Sequence, residues 1–223
     1  MSESCATRPL PLRTPKKREA LPDTLTMGEL ERLLAQPERP DLWERHFPGK
    51  PERDRLRLAV MAYAGLRRTE LLGLDWDDVD LTRRLLGVRK AKGGRQRTIP
   101  IHPALAPFFA EYYATRLPMT EQTVFVGVQG NRLHYTQLGQ TFRHYVDAAG
   151  VNERKRVTPH TLRHVFASEL LHAGANLRKI QELLGHKHLD STQLHKHLDS
   201  TQRYTRVNAH ELRGAIKRLS WVG

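Results

Sequence analysis

The spacing of apolar residues predicts that most of this chain is helical. Leucine, valine and alanine recur every three or four positions in several segments, which is the period of an amphipathic helix. The first such segment, LTMGELERLLA, places Leu30, Leu33 and Leu34 on one face. Thr26 and Glu29 have the spacing of a capping box, which predicts a helix start at this threonine.

Six further helices are predicted along the chain. Three of them cover about 53–64, 103–116 and 136–149, and Gly65 and Gly150 are natural stops for the first and last of these. The other three begin at capping residues: TPHTLRHVFASELLHAG at Thr158, NLRKIQELLG at Asn176 and NAHELRGAIKRL at Asn208. Gly174 and Gly185 end the first two of these three helices.

Strand signals are confined to a short central region. LLGVRKA and QRTIPI flank KGGR, and this arrangement predicts a β-hairpin with a glycine-containing loop. TVFVG is predicted to be a short strand or a buried loop, and GLRRTELLGLDWDDVD a turn with a short helix. The predicted fold class is therefore mostly α with a small antiparallel β-sheet (α+β).

The ends and the size of the chain suggest one folded domain with a tail. Residues 1–20 are basic and rich in proline, as in a linker, and residues 21–223 carry the periodic segments. A domain of this size can bury a large core. Cys5 is the one cysteine, which excludes a disulfide framework and fits a reducing cytoplasm. No apolar run approaches the roughly 20 residues of a membrane span.

The charge balance favours a polyanionic partner. Lysine and arginine exceed the acidic residues by enough to give a formal net charge of +13. Such an excess promotes binding to nucleic acid by electrostatic steering and counterion release.

Two pairs of residues could form a phosphate-binding site. His160 and Arg163 lie three apart in the first turn of a predicted helix, where unpaired N–H groups also attract anions. Arg67 follows a helix-ending glycine, and Glu70 lies where its carboxylate could orient that guanidinium. A solvated helix face and a surface ion pair are the alternatives for these two pairs.

Two more candidates lie in loops. Lys92 is at the tip of the predicted hairpin, where a long cationic side chain can reach outward, and it is otherwise an ordinary exposed lysine. His186 follows the helix-ending Gly185, and its alternative is a simple loop histidine.

The order of these motifs resembles the tyrosine recombinase family, which includes the phage integrases. The similar blocks are LTMGEL, GLRRTELLGL, KGGRQRTIPI, PHTLRHVFASELLHAG and IQELLGH, and with Tyr204 they extend over about residues 21–220. The resemblance implies the tyrosine recombinase catalytic-domain fold for residues 21–223. It also implies a site-specific recombinase or integrase that cleaves and rejoins DNA through a 3′-phosphotyrosyl intermediate.

The resemblance implies a role for each candidate. Tyr204 would be the nucleophile, Lys92 the general acid, and Glu70 a support for the site. Arg67 and Arg163 would bind the non-bridging oxygens, and His160 and His186 would add hydrogen bonds and proton handling. The expected DNA contacts are Arg67, Lys92, Arg95 and Arg163. The expected partners are double-stranded DNA and further copies of the chain, a dimer to a tetramer on DNA.

Metal-independent chemistry without a cofactor is expected. A phenol with a pKa near 10 needs a neighbouring base or cation to react at neutral pH. Fixed guanidinium groups can stabilise the charge on the phosphate oxygens in the transition state. No cluster of aspartate and glutamate in the sequence suggests a two-metal site.

The sequence departs from the family pattern in two ways. Only 20 residues precede the catalytic region, where the family carries a DNA-clamping domain, so a fragment or an unusual enzyme is expected. HKHLDSTQ occurs twice, at 186–193 and 195–202, so two histidines compete for one role. His186 follows LLG, whereas His195 has the nine-residue spacing to Tyr204 that the family shows. His186 is the preferred site histidine and His195 the alternative.

Two other functions remain open from sequence. One is a DNA-binding protein of the same fold with impaired or lost cleavage activity. The other is a metal-binding module built on His186, His188, His195 and His197, although the pattern lacks thiolates and is explained by the duplication.

Overall fold

The computed structural model describes residues 25–39, 51–89, 96–116, 121–127, 129–151 and 156–185. The predicted tail at 1–20, the hairpin tip and the predicted last helix lie outside these residues. Five predicted site residues lie outside them too: Lys92, Arg95, His186, His195 and Tyr204.

The described ranges contain seven α-helices and one small sheet. The helices are α1 (Met27–Ala35), α2 (Pro51–Ala64), α3 (Arg68–Leu72), α4 (Leu105–Thr115), α5 (Tyr135–Ala148), α6 (Pro159–His172) and α7 (Leu177–Leu184). The strands β1 (Val79–Asp80), β2 (Leu85–Val88) and β3 (Arg97–Pro100) form an antiparallel sheet in that order. This architecture confirms the predicted fold class, mostly α with a small antiparallel sheet.

Helix starts follow the capping chemistry of the sequence. The Thr26 hydroxyl accepts from the backbone N–H of Glu29 at 3.3 Å, and the Glu29 carboxylate accepts from the Thr26 N–H at 2.7 Å, so the predicted capping box is confirmed. The Asn176 side chain accepts from the Arg178 N–H at 2.8 Å and caps α7. The predicted stops at Gly65, Gly150, Gly174 and Gly185 all have positive φ.

The hairpin prediction is confirmed for its two strands. β2 pairs with β3, with Leu86 opposite Ile99 and Val88 opposite Arg97. The segment DWDDVD differs from its prediction, because it forms a 3₁₀ turn at Trp76–Asp78 followed by β1. A strand of two residues is too short to show an alternating pattern, so β1 has no recognisable signal in the sequence. TVFVG contains the buried residues Val124 and Phe125.

The core is organised around α2, which packs against α1, α4 and α6. The sequence predicted one apolar face on this helix, but α2 is buried on nearly all sides. Asp54 compensates the buried charges there: it accepts from Arg53 at 2.8 Å and from the Tyr145 hydroxyl at 2.9 Å, and pairs with Arg57 at 3.4 Å. A helix buried all round needs such internal pairing because unpaired charges are costly to bury.

The helices in the described part of the chain include none that is both long and apolar enough to cross a membrane.

Candidate functional site

The centre of the candidate site is the carboxylate of Glu70, whose side chain is only 4% exposed. Its two oxygens accept from Nη1 and Nη2 of Arg97 at 2.9 Å each. They also accept from the backbone N–H and Nη1 of Arg67, both at 2.8 Å. Burial raises the pKa of Glu70, but the hydrogen bonds from Arg97 and Arg67 outweigh it and bring the pKa to about 2. Glu70 is therefore a buried anion and not half of a surface ion pair.

Local sequence explains how Glu70 and Arg67 meet. α2 ends at Gly65, and the chain turns so that Arg67 becomes the extended residue that precedes α3. Glu70 then lies three residues further on, and its carboxylate accepts the free backbone N–H of Arg67 as in a capping box. The Arg67 guanidinium, 36% exposed, reaches across the fold and donates from Nη2 to the carbonyl oxygen of Gly185 at 3.2 Å.

α6 contributes Arg163 from a buried position in its first turns. Arg163 Nη1 donates to the carbonyl oxygen of Gly65 at 2.6 Å, and Nη2 donates to that of Leu184. Nη1 also lies 3.8 Å from a Glu70 oxygen. Burial first, and then repulsion from Arg67, lower the pKa of Arg163 to about 9, so the guanidinium remains charged at neutral pH.

His160 lies on the exposed side of the same helix start. Its pKa is lowered from 6.5 by burial first and then by repulsion from Arg163, Arg68 and Arg67. It is therefore predominantly neutral at pH 7 and could accept a proton. The shift also shows that His160 lies within the electrostatic range of these three arginines.

The site carries more positive than negative charge. Three guanidinium groups, those of Arg67, Arg97 and Arg163, surround the single carboxylate of Glu70. The N-terminus of α6 adds a positive helix-dipole end beside His160. A phosphate group bound at the exposed edge of Arg67 would relieve this repulsion, and charge-assisted hydrogen bonds from guanidinium groups are well suited to hold it.

Four of the residues predicted from sequence are thus brought to one place: Arg67, Glu70, His160 and Arg163. The other five, Lys92, Arg95, His186, His195 and Tyr204, lie outside the described residues. Gly185, immediately before His186 in sequence, accepts a hydrogen bond from Arg67 through its carbonyl oxygen.

Sequence reasoning missed Arg97. It selected Arg95 in the hairpin loop, whereas Arg97 at the start of β3 makes the two-pronged contact with Glu70. The signal was the alternation in RTIP, since Arg97 shares a strand face with the buried Ile99. An arginine on the buried face of a strand requires an anionic partner.

Sequence reasoning also missed a pair beside the site. The Arg68 guanidinium lies 3.5 Å from the centre of the Tyr135 ring and donates to the Tyr135 carbonyl oxygen at 3.1 Å. Tyr135 is half exposed. A cation–π contact of this kind holds Arg68 near His160.

No cluster of three or more histidine, cysteine, aspartate or glutamate side chains suited to a metal ion is found among the described residues. The four histidines of the metal-binding alternative lie outside those residues.

A mostly helical domain in which three arginines meet at a buried glutamate, with a histidine in the same helix as one of them, defines a class of phosphate-binding site. Comparisons with known proteins identify the family. Residues 23–211 match the model of the Phage integrase family. The chain therefore belongs to the phage integrase family.

Named relatives agree with this assignment. The chain is 37% identical over 209 residues to the tyrosine recombinase XerA of Thermococcus kodakarensis, covering 92% of this chain and 65% of that protein. Among solved structures it is similar to the XerA recombinase, with a TM-score of 0.67, 28% identity, and coverage of 87% of this chain and 64% of the other. It is also similar to XerH bound to difH substrate in a pre-cleavage complex, with a TM-score of 0.65, 26% identity, and coverage of 83% and 53%. The chain thus spans less than two thirds of the length of each of these proteins.

Proposed function

We propose that this chain is a site-specific DNA recombinase or integrase that cleaves and rejoins double-stranded DNA through a 3′-phosphotyrosyl intermediate. The observation that carries the proposal is the binding of Arg67, which precedes α3, and of Arg163 in α6 to the same buried glutamate, with His160 one turn before Arg163 in α6. Family membership and the similarity to a recombinase solved with DNA support the same conclusion.

The proposed chemistry begins with binding of one DNA phosphate. Arg67 and Arg163 hold the non-bridging oxygens, and the exposed edge of Arg67 faces the incoming strand. The guanidinium groups are already fixed by Glu70 and by backbone carbonyls, so little reorganisation is needed as charge builds up on these oxygens.

The proposed cleavage step exchanges one phosphate ester bond for another. The phenolic oxygen of Tyr204 attacks phosphorus, and the bond from phosphorus to the 5′-oxygen breaks. The phenolic proton passes to a histidine, for which neutral His160 and His186, with His195 as the alternative, are the candidates. Lys92 donates a proton to the leaving 5′-oxygen. Reversal with a different 5′-hydroxyl rejoins the strand.

The step as proposed uses neither a metal ion nor a cofactor. The positive charge that stabilises the transition state comes from the arginines. Chelation should therefore leave cleavage unchanged.

The proposed partners are double-stranded DNA and further copies of this chain, a dimer to a tetramer in the complex that exchanges strands. The +13 net charge and the cluster of arginines support the DNA partner. Arg95 in the hairpin loop is proposed as a further DNA contact. The single cysteine supports the proposed cytoplasmic location.

A covalent-capture experiment tests the proposal. The full chain is incubated with a library of duplexes that have a randomised centre and a single nick, so that a cut strand diffuses away and the intermediate persists. Covalent complexes that survive denaturation, with and without EDTA, are isolated and their DNA is sequenced. The proposal expects adducts enriched in one sequence, EDTA having no effect, and none with Tyr204→Phe, which should still bind the selected duplex.

Two results would contradict the proposal. Sequence-specific binding without any adduct would establish the alternative, a DNA-binding protein of this fold that does not cleave. Adduct formation that EDTA stops and Mg²⁺ restores would refute the metal-free step.

A further inference from the structure

The last carbonyl oxygens of α7 are each bound by a different arginine. Leu183 accepts from Nε of Arg97, Leu184 from Nη2 of Arg163, and Gly185 from Nη2 of Arg67. These final carbonyls have no partner within the helix and carry partial negative charge. The C-terminal end of α7 therefore accepts hydrogen bonds from three guanidinium groups, and all three also approach Glu70.

Arg97 differs from Arg67 in its exposure and in how its nitrogens are used. Its three nitrogens are all used, Nε by Leu183 and both Nη atoms by Glu70. Its side chain is 9% exposed, compared with 36% for Arg67. Arg97 is thus bound to the protein through each of its nitrogens and is almost closed to solvent.

Arg97 and Arg67 share the same carboxylate. Arg97 occupies both oxygens of Glu70 in the two-pronged geometry, which is the stronger arrangement for an arginine and a carboxylate. The side chain of Arg67 makes one hydrogen bond to Glu70 and turns its other nitrogen toward Gly185. If Arg97 were absent, Arg67 could take the two-pronged position and turn away from the exposed side.

Gly185 lies against the Arg97 guanidinium. A Cβ at this residue would lie 2.8 Å from Nη1 and 3.2 Å from Cζ of Arg97, and the residue has a φ of +65°. The left-handed turn favours glycine here, and a side chain at this position would displace the guanidinium from its place at Glu70.

We infer that Arg97 is a positioning residue, which keeps Arg67 available to the DNA phosphate by occupying Glu70 and capping α7. Arg97 also ties the start of β3 to α7, so the base of the hairpin that carries Lys92 is attached to the same carboxylate. This inference rests on the proposed function for its catalytic consequence, but the orientation of Arg67 can be observed without any cleavage.

The kinetic test compares single-turnover adduct formation on the duplex that the wild-type chain selects. Arg97→Ala should slow adduct formation on the order of 10²-fold, the scale of a small misplacement of reacting groups. DNA affinity should change little, because the Arg97 side chain is almost closed to solvent. Arg178→Ala is the matched control, since Arg178 is an exposed arginine of α7 paired with Glu182 and should leave the rate unchanged.

A double-mutant comparison shows whether Arg97 acts through Glu70. In a Glu70→Gln background, Arg97→Ala should slow adduct formation much less than in the wild-type background. An equal factor in both backgrounds would overturn the inference, as would a folded Arg97→Ala protein that cleaves at the wild-type rate. If Arg97→Ala does not fold, Arg97→Lys decides, since lysine keeps the charge but cannot bind both oxygens, and a wild-type rate there would likewise overturn it.

The pH profile separates a positioning role from a merely structural one. Loss of the Arg97 charge and of its two hydrogen bonds raises the pKa of Glu70 even when Arg67 binds both oxygens, because only Arg67 and Arg163 of the three guanidinium groups facing the carboxylate remain. The adduct rate of Arg97→Ala should therefore fall at a higher pH than that of the wild type as the buffer is acidified. Protonation of His160 affects both proteins, so it does not account for a difference between their pH profiles.

A crystal structure of Arg97→Ala gives the readout that does not depend on cleavage. Arg67 should have rotated to bind both oxygens of Glu70. If Arg67 keeps its contacts with one Glu70 oxygen and with Gly185, the inference is wrong even if the chain cleaves DNA. If the wild-type chain forms no adduct but Arg67 rotates in the variant, the proposed function fails while the inference about the arginines stands.

Discussion

Gly65 lies so close to the ring of Phe166 that no side chain fits between them. A Cβ built on Gly65 would overlap the ring at Cδ1 and lie 3.0 Å from Cε1, and Gly65 has a φ of +59°. The carbonyl of the same glycine accepts from Arg163. One residue thus ends α2, brings α6 close and holds an arginine of the site, which explains why a glycine precedes Leu66 and Arg67.

Gly65→Ala should be strongly destabilising. The left-handed backbone costs a non-glycine residue about 1–2 kcal/mol, and the overlap with Phe166 adds about 1–3 kcal/mol of overpacking. Urea unfolding followed by circular dichroism measures the change. Gly28→Ala is the control, because a Cβ at Gly28 meets nothing within 4 Å. Equal stability of Gly65→Ala and Gly28→Ala would contradict the packing described here.

Tyr145→Phe should destabilise the core by about 1–3 kcal/mol, the usual effect of leaving a buried group without its hydrogen-bond partner. The lost hydroxyl donates to Asp54, which is buried with Arg53 and Arg57. Tyr113→Phe is the matched control, since Tyr113 is 40% exposed and should change the free energy of unfolding by less than about 0.5 kcal/mol. Chemical unfolding of both variants at pH 7 measures the change in the free energy of unfolding. Equal changes would contradict the buried hydrogen bond between Tyr145 and Asp54.

Acid should weaken the fold below about pH 6.5 partly through two histidines of α6. The pKa values of His160 and His164 are lowered from 6.5, with burial as the largest cause in each. The unfolded chain therefore binds protons at a higher pH than the native one. Their contribution is complete above 6.5 and is lost as the pH falls from 6.5 through the lower native pKa values.

The measurement is the free energy of unfolding between pH 7 and pH 5 for the wild type and for His160→Gln/His164→Gln. The double variant should show a shallower decline over this range. An identical slope in both proteins would show that these histidines are not shifted. Glu70, whose pKa is lowered from 4.5 to about 2, loses its own contribution to stability only below about pH 4.5.

Deletion of residues 187–195 should leave adduct formation at least as fast as in the intact chain. The deletion joins His186 to KHLDSTQRYT and places Tyr204 nine positions after this histidine. Nine extra residues can span up to about 30 Å, so the intact chain must loop out the excess or deliver Tyr204 to a neighbouring copy. This segment lies outside the described residues, and the expectation comes from the sequence alone.

Single substitutions distinguish the two copies of the repeat. His186→Ala should slow the intact chain more than His195→Ala, because LLG attaches His186 to α7. A larger loss of rate in His195→Ala than in His186→Ala would place the second copy of the repeat in the site. Loss of activity in the deletion variant would show that the repeat is a working part of the enzyme.

The local signals in the sequence were enough to predict most of the fold. Caps such as Thr26 and Asn176, and stops such as Gly65 and Gly185, act within a few residues, so their outcome can be predicted without tertiary information. β1 could not be predicted because it is two residues long and exists by pairing with β2.

The candidate site was predicted in part for a similar reason. Arg67 and Glu70 are linked by a local capping contact, and His160 and Arg163 share one helix turn. Arg97 reaches Glu70 across 27 positions of the chain, and its partner carbonyl at Leu183 is 86 positions away. Contacts over such separations depend on how the hairpin and α7 pack, which periodicity does not reveal.

The attachment site of DNA on the protein tests the central proposal most directly. The covalent complex with the selected duplex is digested with nuclease and trypsin, and the modified peptide is sequenced by mass spectrometry. We expect a nucleotide linked through its 3′-phosphate to Tyr204, formed at least about 10²-fold more slowly in Arg67→Ala and Arg163→Ala. A nucleotide on any other residue, or wild-type rates in both arginine variants, would contradict the proposed mechanism.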